Sequence, residues 1–350
     1  MSTRALVLQL LGEVPPRGPL HIAVRSETAF AGGRRRLIDY SLDETESVPA
    51  YLLIPDPPAA DGARPRPPGG NGGGPGEPRY PGILAIHQHA GQYFLGKSEP
   101  AGLSANATYH YGLELCRRGY VVLCPDLLGF EERRPPEHQR AEGTVPNGEA
   151  YERYLAMRLL LEGTSLKAKY TFDLVRALDV LQSLEMVDGE RLGVIGHSLG
   201  GQEAFWLTWF DARVRAGVAS CGLGTLRTIL RDHINHNLAM YLPGMLRVAD
   251  IDRLAVELAP CPFMLTAGEE DPIFPIDGVR EIVAAAQAAY ARAGVPDQFQ
   301  AILFPGGHGF PAPVRGECYR FLDRWLRPPE RLAQGASLVG LRPKDQVQGM

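Results

Sequence analysis

Five cysteines in 350 residues are too few, too scattered and odd in number for a disulfide framework. Cys116, Cys124, Cys221, Cys261 and Cys318 fall mostly in apolar segments, so buried free thiols in a reducing cytoplasm are expected. Long apolar runs are also missing. None approaches the ~20 residues that crossing a bilayer requires. Behind residues 1–11 stand Glu13, Pro15 and Pro16, not the small-residue cleavage site of a secretory signal. The expectation is a cytoplasmic chain with no membrane partner. Nor is there an excess of either charge. With 36 Lys and Arg against 40 Asp and Glu, net −4, the chain lacks the basic field that nucleic acid or an acidic membrane surface would need. No internal repeat is present, which excludes a propeller or solenoid.

What the chain does have is 45% hydrophobic residues, enough for a real core. They fall into short apolar runs that alternate with helical stripes. Residues 20–24, 34–40 and 48–54 read as antiparallel strands separated by turn-length gaps. Arg34, Arg35 and Arg36 read as a solvated hairpin edge, where charge blocks edge pairing, and not as an anion site. Residues 55–80, rich in Pro and Gly without periodicity, read as a disordered loop inside the domain. Runs at 83–87, 120–124, 192–195, 216–220, 263–267 and 300–304 have the length and branching of buried parallel strands. Helices are expected over 109–118, 171–184, 278–293 and 314–326. Residues 127–163 read as a charged loop with a tyrosine-rich segment, in which Glu131 and Arg133 pair with each other or position a substrate. Residues 224–258 read as a helical, lid-like insertion over the site, and 328–350 as a polar tail. The fold class expected over 1–350 is a single α/β domain, with a mostly parallel sheet, antiparallel N-terminal strands and helices on both faces.

One stretch organises the rest. The run Leu192-Gly193-Val194-Ile195 leads into Gly196-His197-Ser198-Leu199-Gly200-Gly201 and then a helix-compatible segment. Strand, Gly-x-Ser-x-Gly, helix is a nucleophile elbow, a turn so tight that Ser198 is strained and Gly196 and Gly200 have no room for side chains. It lifts the serine hydroxyl above the sheet's C-terminal edge and leaves the Leu199 N–H facing a developing oxyanion.

Two later strand ends supply partners. Gly268-Glu269-Glu270-Asp271-Pro272 offers an acid and Gly307-His308-Gly309 a base, in the chain order Ser, Asp, His. His308 would take the Ser198 proton and return it to a leaving group, with Asp271 fixing the imidazole tautomer. Glu269, Glu270 and Asp277 compete for the acid's place. The turn His87-Gln88-His89-Ala90-Gly91-Gln92 is expected to give the second oxyanion N–H, from His89 first and Gln88 second. The rival reading of His87 and His89 as a metal pair lacks a carboxylate-rich partner motif, and Asp232, His233 and His236 are a second candidate metal cluster. A polar helix face is expected for the latter. No metal and no cofactor are expected.

On these motifs, together with Arg118-Gly119-Tyr120-Val121-Val122, residues 45–327 resemble the α/β-hydrolase superfamily, in its dienelactone-hydrolase-like and acetyl-esterase-like branch. The resemblance implies cofactor-free hydrolysis of an ester, lactone or related acyl bond through an acyl-enzyme. Ser198 stands where dienelactone hydrolases carry a cysteine, which points away from a dienelactone. A serine carboxylesterase acting on a small-molecule ester is therefore expected, with a homodimer left open. A lactone or dienelactone-type hydrolase, a small peptidase-like hydrolase and a non-catalytic hydrolase-like binding protein are the alternatives.

Overall fold

Alternation along the strands sorts the core into layers. Ile83, Ala85, Val122, Cys124, Ile195 and Val218 pack on one side of the sheet. Leu84, Ile86, Val121, Leu123 and Val194 pack on the other. Period two with both faces apolar is what a doubly covered sheet demands. The structure, a computed structural model, describes residues 1–57, 79–143 and 145–327. The loop expected over 55–80, apart from its two ends, and the tail over 328–350 lie outside the described residues.

The nine strands are β1 (Ile22–Phe30), β2 (Gly33–Ser41), β3 (Ser47–Pro55), β4 (Tyr80–Ile86), β5 (Val121–Pro125), β6 (Val187–His197), β7 (Val214–Ser220), β8 (Phe263–Gly268) and β9 (Phe299–Phe304). They form one sheet in the order β1-β2-β3-β5-β4-β6-β7-β8-β9. Pairing is antiparallel from β1 through β3 to β5 and parallel from β5 to β9. This is the α/β-hydrolase architecture. The helices are α1 (Thr3–Leu11), α2 (Tyr111–Arg117), α3 (Glu137–Ala141), α4 (Glu149–Leu161), α5 (Leu166–Ser183), α6 (Leu199–Phe210), α7 (Leu226–Arg231), α8 (Met245–Val248), α9 (Ile251–Val256), α10 (Ile276–Arg292) and α11 (Ala312–Leu326). Helices α2 and α11 cover one face, through Leu115, Phe321 and Leu322. Helices α5, α6 and α10 cover the other, through Leu174, Leu178, Phe205 and Ile282. Among the described residues no helix is long and apolar enough to cross a membrane.

Local chemistry sets several helix starts. The Ser165 hydroxyl accepts from the Ala168 N–H at 3.1 Å and caps α5. Asp250, fully buried, accepts from the N–H groups of Leu226 and Ile251, each at 2.7 Å, so one carboxylate caps both α7 and α9. All five cysteines are free, and Cys116, Cys124, Cys221 and Cys318 are buried.

The structure corrects four expectations. The arginine triplet lies on β2, inside the sheet between β1 and β3 and not at its edge, because β1 pairs with β2 over its whole length. Arg35 is buried and donates to the Ala101 carbonyl at 2.7 Å. The helix expected over 109–118 is shorter, α2 starting at Tyr111 after a 3-10 turn at Ala107–Tyr109. Within 127–163, α3 and α4 replace the expected loop, with Leu155, Ala156 and Leu159 buried on α4. Glu131 and Arg133 do not pair with each other. Glu131 accepts from Lys97 and from the Ser98 hydroxyl, both at 2.6 Å, while Arg133 holds Glu46 and Asp173. The fully buried Lys97 ammonium also reaches Asp126 and Glu132, each at 2.8 Å. Burial works to lower its pKa, but the Asp126 and Glu131 charges outweigh burial and raise it.

Candidate active site

The elbow shows why its sequence is glycine-rich. Ser198 sits at φ +56°, ψ −120°, a conformation that an L residue holds only under constraint. A Cβ on Gly196 would lie 2.1 Å from the Gly200 carbonyl oxygen, and one on Gly200 would lie 2.0 Å from that of Ile86. The first turn of α6 therefore presses against the end of β4. There the Leu199 N–H, in the first helical turn, has no intrahelical acceptor.

The loops after β8 and β9 close on each other in the same way. A Cβ on Gly268 would lie 2.1 Å from the Gly307 carbonyl oxygen, and the Glu270 N–H donates to Gly306 at 2.9 Å. Asp271 is folded inward. Its Oδ1 accepts from the N–H groups of Ile273 and Phe274 at 3.0 and 3.3 Å, and its Oδ2 lies 2.7 Å from His308 Nδ1. His308 Nε2 lies 2.8 Å from Ser198 Oγ. With a carboxylate on Nδ1, that nitrogen carries the proton and Nε2 accepts from the hydroxyl. The other acids point elsewhere. Glu269 pairs with Arg280 at 2.9 Å, Asp277 with Arg231 at 2.5 Å, and the Glu270 side chain is exposed.

Aromatic rings back the imidazole. Phe274 stacks on His308 with centroids 5.8 Å apart, and His197 lies at 5.0 Å on another side. Burial, reinforced by the His308 charge, holds the His197 pKa well below its ordinary value, so it stays neutral behind the site.

The turn after β4 is tied down from two directions. His87 is fully buried, and its Nε2 accepts from the Leu127 N–H at 3.1 Å. His89 Nδ1 accepts from the Gly91 N–H at 3.0 Å, and its Nε2 lies 3.0 Å from Glu152 on α4. These rings serve different partners and do not converge. Glu152 also accepts from the Tyr93 hydroxyl at 2.6 Å and the Leu238 N–H at 2.9 Å. Burial works to raise the Glu152 pKa, yet the His89 and Tyr93 contacts prevail and hold it below the ordinary range. One carboxylate thus joins α4, the turn after β4 and the segment after α7. Gln88, next to His89, donates from its side chain to the buried Glu99 at 2.9 Å.

The insertion over 224–258 is less helical than expected. Between α7 and a 3-10 turn at Leu238–Met240, residues 234–237 are irregular, so His236 is not on a helix face. Asp232 pairs with its neighbour Arg231 at 2.7 Å, while His233 is exposed at φ +53°. Only His236 is buried. Between this segment and α4 runs an apolar groove of about 540 Å³ lined by residues such as Met157, Leu160, Leu166, Ile229, Met240 and Met245. Sequence reasoning missed Glu152, Glu99 and the burial of His236. None stands in a local pattern; each is defined by a partner far along the chain.

The model of the dienelactone hydrolase family matches residues 73–323. The protein YtaP of Bacillus subtilis (strain 168) is 29% identical over 327 residues, covering 92% of this chain and 98% of that one. Among solved structures, a glucuronoyl esterase from Solibacter usitatus is similar with a TM-score of 0.63 at 16% identity, covering 91% of each chain. An acetyl xylan esterase from Paenibacillus sp. R4 is similar with a TM-score of 0.60 at 17% identity, covering 93% of this chain and 92% of that one. At these identities the solved structures speak to fold alone.

Proposed function

The chain belongs to the dienelactone hydrolase family, and we propose that within it this protein is a serine hydrolase of carboxylic esters working through an acyl-enzyme. The observation that carries this reading is the continuous chain from Asp271 to His308 to Ser198, with links of 2.7 and 2.8 Å. Neighbours of the same fold that are named as esterases support it.

In this mechanism Ser198 Oγ attacks the ester carbonyl while His308 Nε2 takes its proton, and Asp271 stabilises the imidazolium. The carbonyl electron pair moves onto oxygen, where the Leu199 N–H and that of His89, with Gln88 as the alternative, stabilise it. Collapse expels the alkoxide, which leaves as the alcohol with the proton from His308. Water then attacks the acyl-enzyme with His308 again as base, and the carboxylic acid departs. No cofactor enters these steps.

Cys221 stands close to Asp271 and His308. Burial, with the Asp271 charge adding to it, pushes its thiol up to about 12, and its Sγ faces the Gly309 carbonyl at 3.3 Å. It stays protonated, which leaves Ser198 as the nucleophile.

Diisopropyl fluorophosphate, which phosphorylates activated serines, tests the assignment. One adduct on the peptide containing Ser198, with matching loss of turnover of p-nitrophenyl esters, is expected. An adduct elsewhere, or faster turnover of an aminoacyl-anilide than of any ester, overturns it.

A further inference from the structure

His236 is nine-tenths buried, with 9% of its surface exposed, in the irregular segment after α7. Its ring meets Phe274 edge-on with centroids 4.8 Å apart, and Phe274 stacks on His308. The ring is close enough to both His308 and His89 that a positive charge on either opposes its own protonation. It therefore lies near both the base and the turn after β4.

Its tautomer is set by its neighbour. The Asn237 backbone N–H donates to Nδ1 at 3.1 Å, and the Asn237 side-chain amide lies 2.8 Å from the same nitrogen. With Nδ1 accepting, Nε2 carries the hydrogen. Burial, followed by the charges on His308 and His89, lowers the pKa to about 3, so the ring is a neutral donor throughout the working range. Yet Nε2 has no hydrogen-bond partner among the described residues. A buried N–H left without an acceptor is costly and rare, and next to reacting groups it is best explained by what binds there.

We propose that the His236 Nε2–H donates a hydrogen bond to a neutral oxygen on the alcohol half of the substrate, so that the site favours esters of oxygenated alcohols, such as polyols and their ethers, over esters of plain alkanols. The proposal rests on the ester-hydrolase reading above. The proposed mechanism and one contact assign the bond to the alcohol half. His308 is the group that protonates the departing alcohol, and His236 sits on the Phe274 side of that ring. The oxyanion has its own donors on the sheet edge. A neutral donor with the Asp271 carboxylate nearby suits an uncharged oxygen better than a carboxylate.

The test compares 2-methoxyethyl acetate with butyl acetate, which differ by one ether oxygen in place of one methylene. Acetate release by the wild-type protein should favour the ether ester in kcat/KM. His236→Phe keeps the ring against Phe274 but removes the donor, and should lower that preference about tenfold, the worth of one hydrogen bond. His236→Gln, which places an amide N–H near the old Nε2 position, should keep the preference. A wild-type protein with no preference, or a Phe variant that loses both esters in equal proportion, overturns the proposal. So does a Gln variant as indifferent as the Phe variant. Hydrolysis of both esters that disappears in Ser198→Ala upholds the underlying reading whatever the ratio. Turnover that survives Ser198→Ala strikes that reading instead.

Discussion

The two sides of the cleft are built on different principles. The floor, at the sheet's C-terminal edge, is made of backbone in close contact: Gly196 on Gly200, Gly200 on Ile86, Gly268 on Gly307. Its reacting groups are gripped by turns a few residues long. The roof, α4 with the segment after α7, is held by side chains, chiefly the three hydrogen bonds that converge on Glu152. Its outer apolar residues are half open to solvent, Met157 at 48% and Leu246 at 44%. Regions with few buried contacts open at lower free energy than the core. On the proposed function the difference separates tasks, with the rigid side setting the rate of bond making and the looser side what is admitted. Substitutions on the floor should therefore reduce kcat for every ester, while those on the roof should act on kcat/KM and on local opening.

The largest effect should come from Ser198→Ala. Removing one hydroxyl from a turn fixed by glycines leaves the fold intact, and losses on the order of 10⁴–10⁶ in kcat follow for nucleophiles of this kind. Burst and steady-state release of p-nitrophenol should both vanish while the melting temperature stays within about 2 °C. Substantial residual turnover at unchanged KM would break the comparison at its root.

Asp271→Asn comes next. An amide on His308 Nδ1 favours the wrong tautomer, at a cost of about 10⁴ in kcat. Glu269→Gln and Glu270→Gln should cost less than about threefold, because one reaches Arg280 and the other solvent. Parallel kcat measurements on the three variants decide it. A crippled Glu270→Gln would mean that the carboxylate facing His308 in catalysis is not the one in this structure.

What was legible in the sequence follows the same division. The elbow could be read because the close contact of Gly196 on Gly200 acts within four residues. The sheet could be read because apolar alternation is local. Among Glu269, Glu270 and Asp271, the short aspartate side chain is the one that bends back onto the N–H groups two and three residues ahead, those of Ile273 and Phe274, and this steadies it under His308. The roof could not be read. Glu152 is a hub only because His89, Tyr93 and Leu238, from three separate stretches, meet it. His236 looked like one polar residue among several on a helix, but α7 stops at Arg231 and the chain turns the ring inward. The arginines of β2 were misplaced because strand order is a long-range property.

Glu152→Ala should separate the two sides most cleanly. It leaves the His89 ring, the Tyr93 hydroxyl and the Leu238 N–H without their shared acceptor. A loss of roughly 10–100-fold in kcat/KM is expected, with smaller loss in Glu152→Gln, whose amide oxygen still accepts. Amide exchange should quicken over 149–156 and 237–239 and stay slow in β6 and α6. Equal quickening in β6 would show that floor and roof open as one unit.

The smallest effect is a pH dependence on the floor itself, at Glu99. Its carboxyl is almost fully buried, at 3% exposure, and burial pushes its pKa up from 4.5 to about 7, although the Gln88 side chain donating to it works the other way. The folded state thus keeps this proton up to about pH 7, whereas the unfolded chain releases it near 4.5. Between those values the native state binds more protons, so its stability falls as pH rises. The full loss, on the order of 3 kcal/mol, is reached above pH 7. Glu99→Gln removes the ionisation while its amide oxygen can still accept from Gln88. At pH 8 the variant should melt about 4 °C above the wild type, and near pH 4.5 the two should coincide. Thermal melts across pH 4.5 to 8 read this directly. A variant that is less stable at pH 8 would show that Glu99 is held as a carboxylate, gripped by Gln88 more strongly than burial opposes it, and the floor would then owe part of its rigidity to charge.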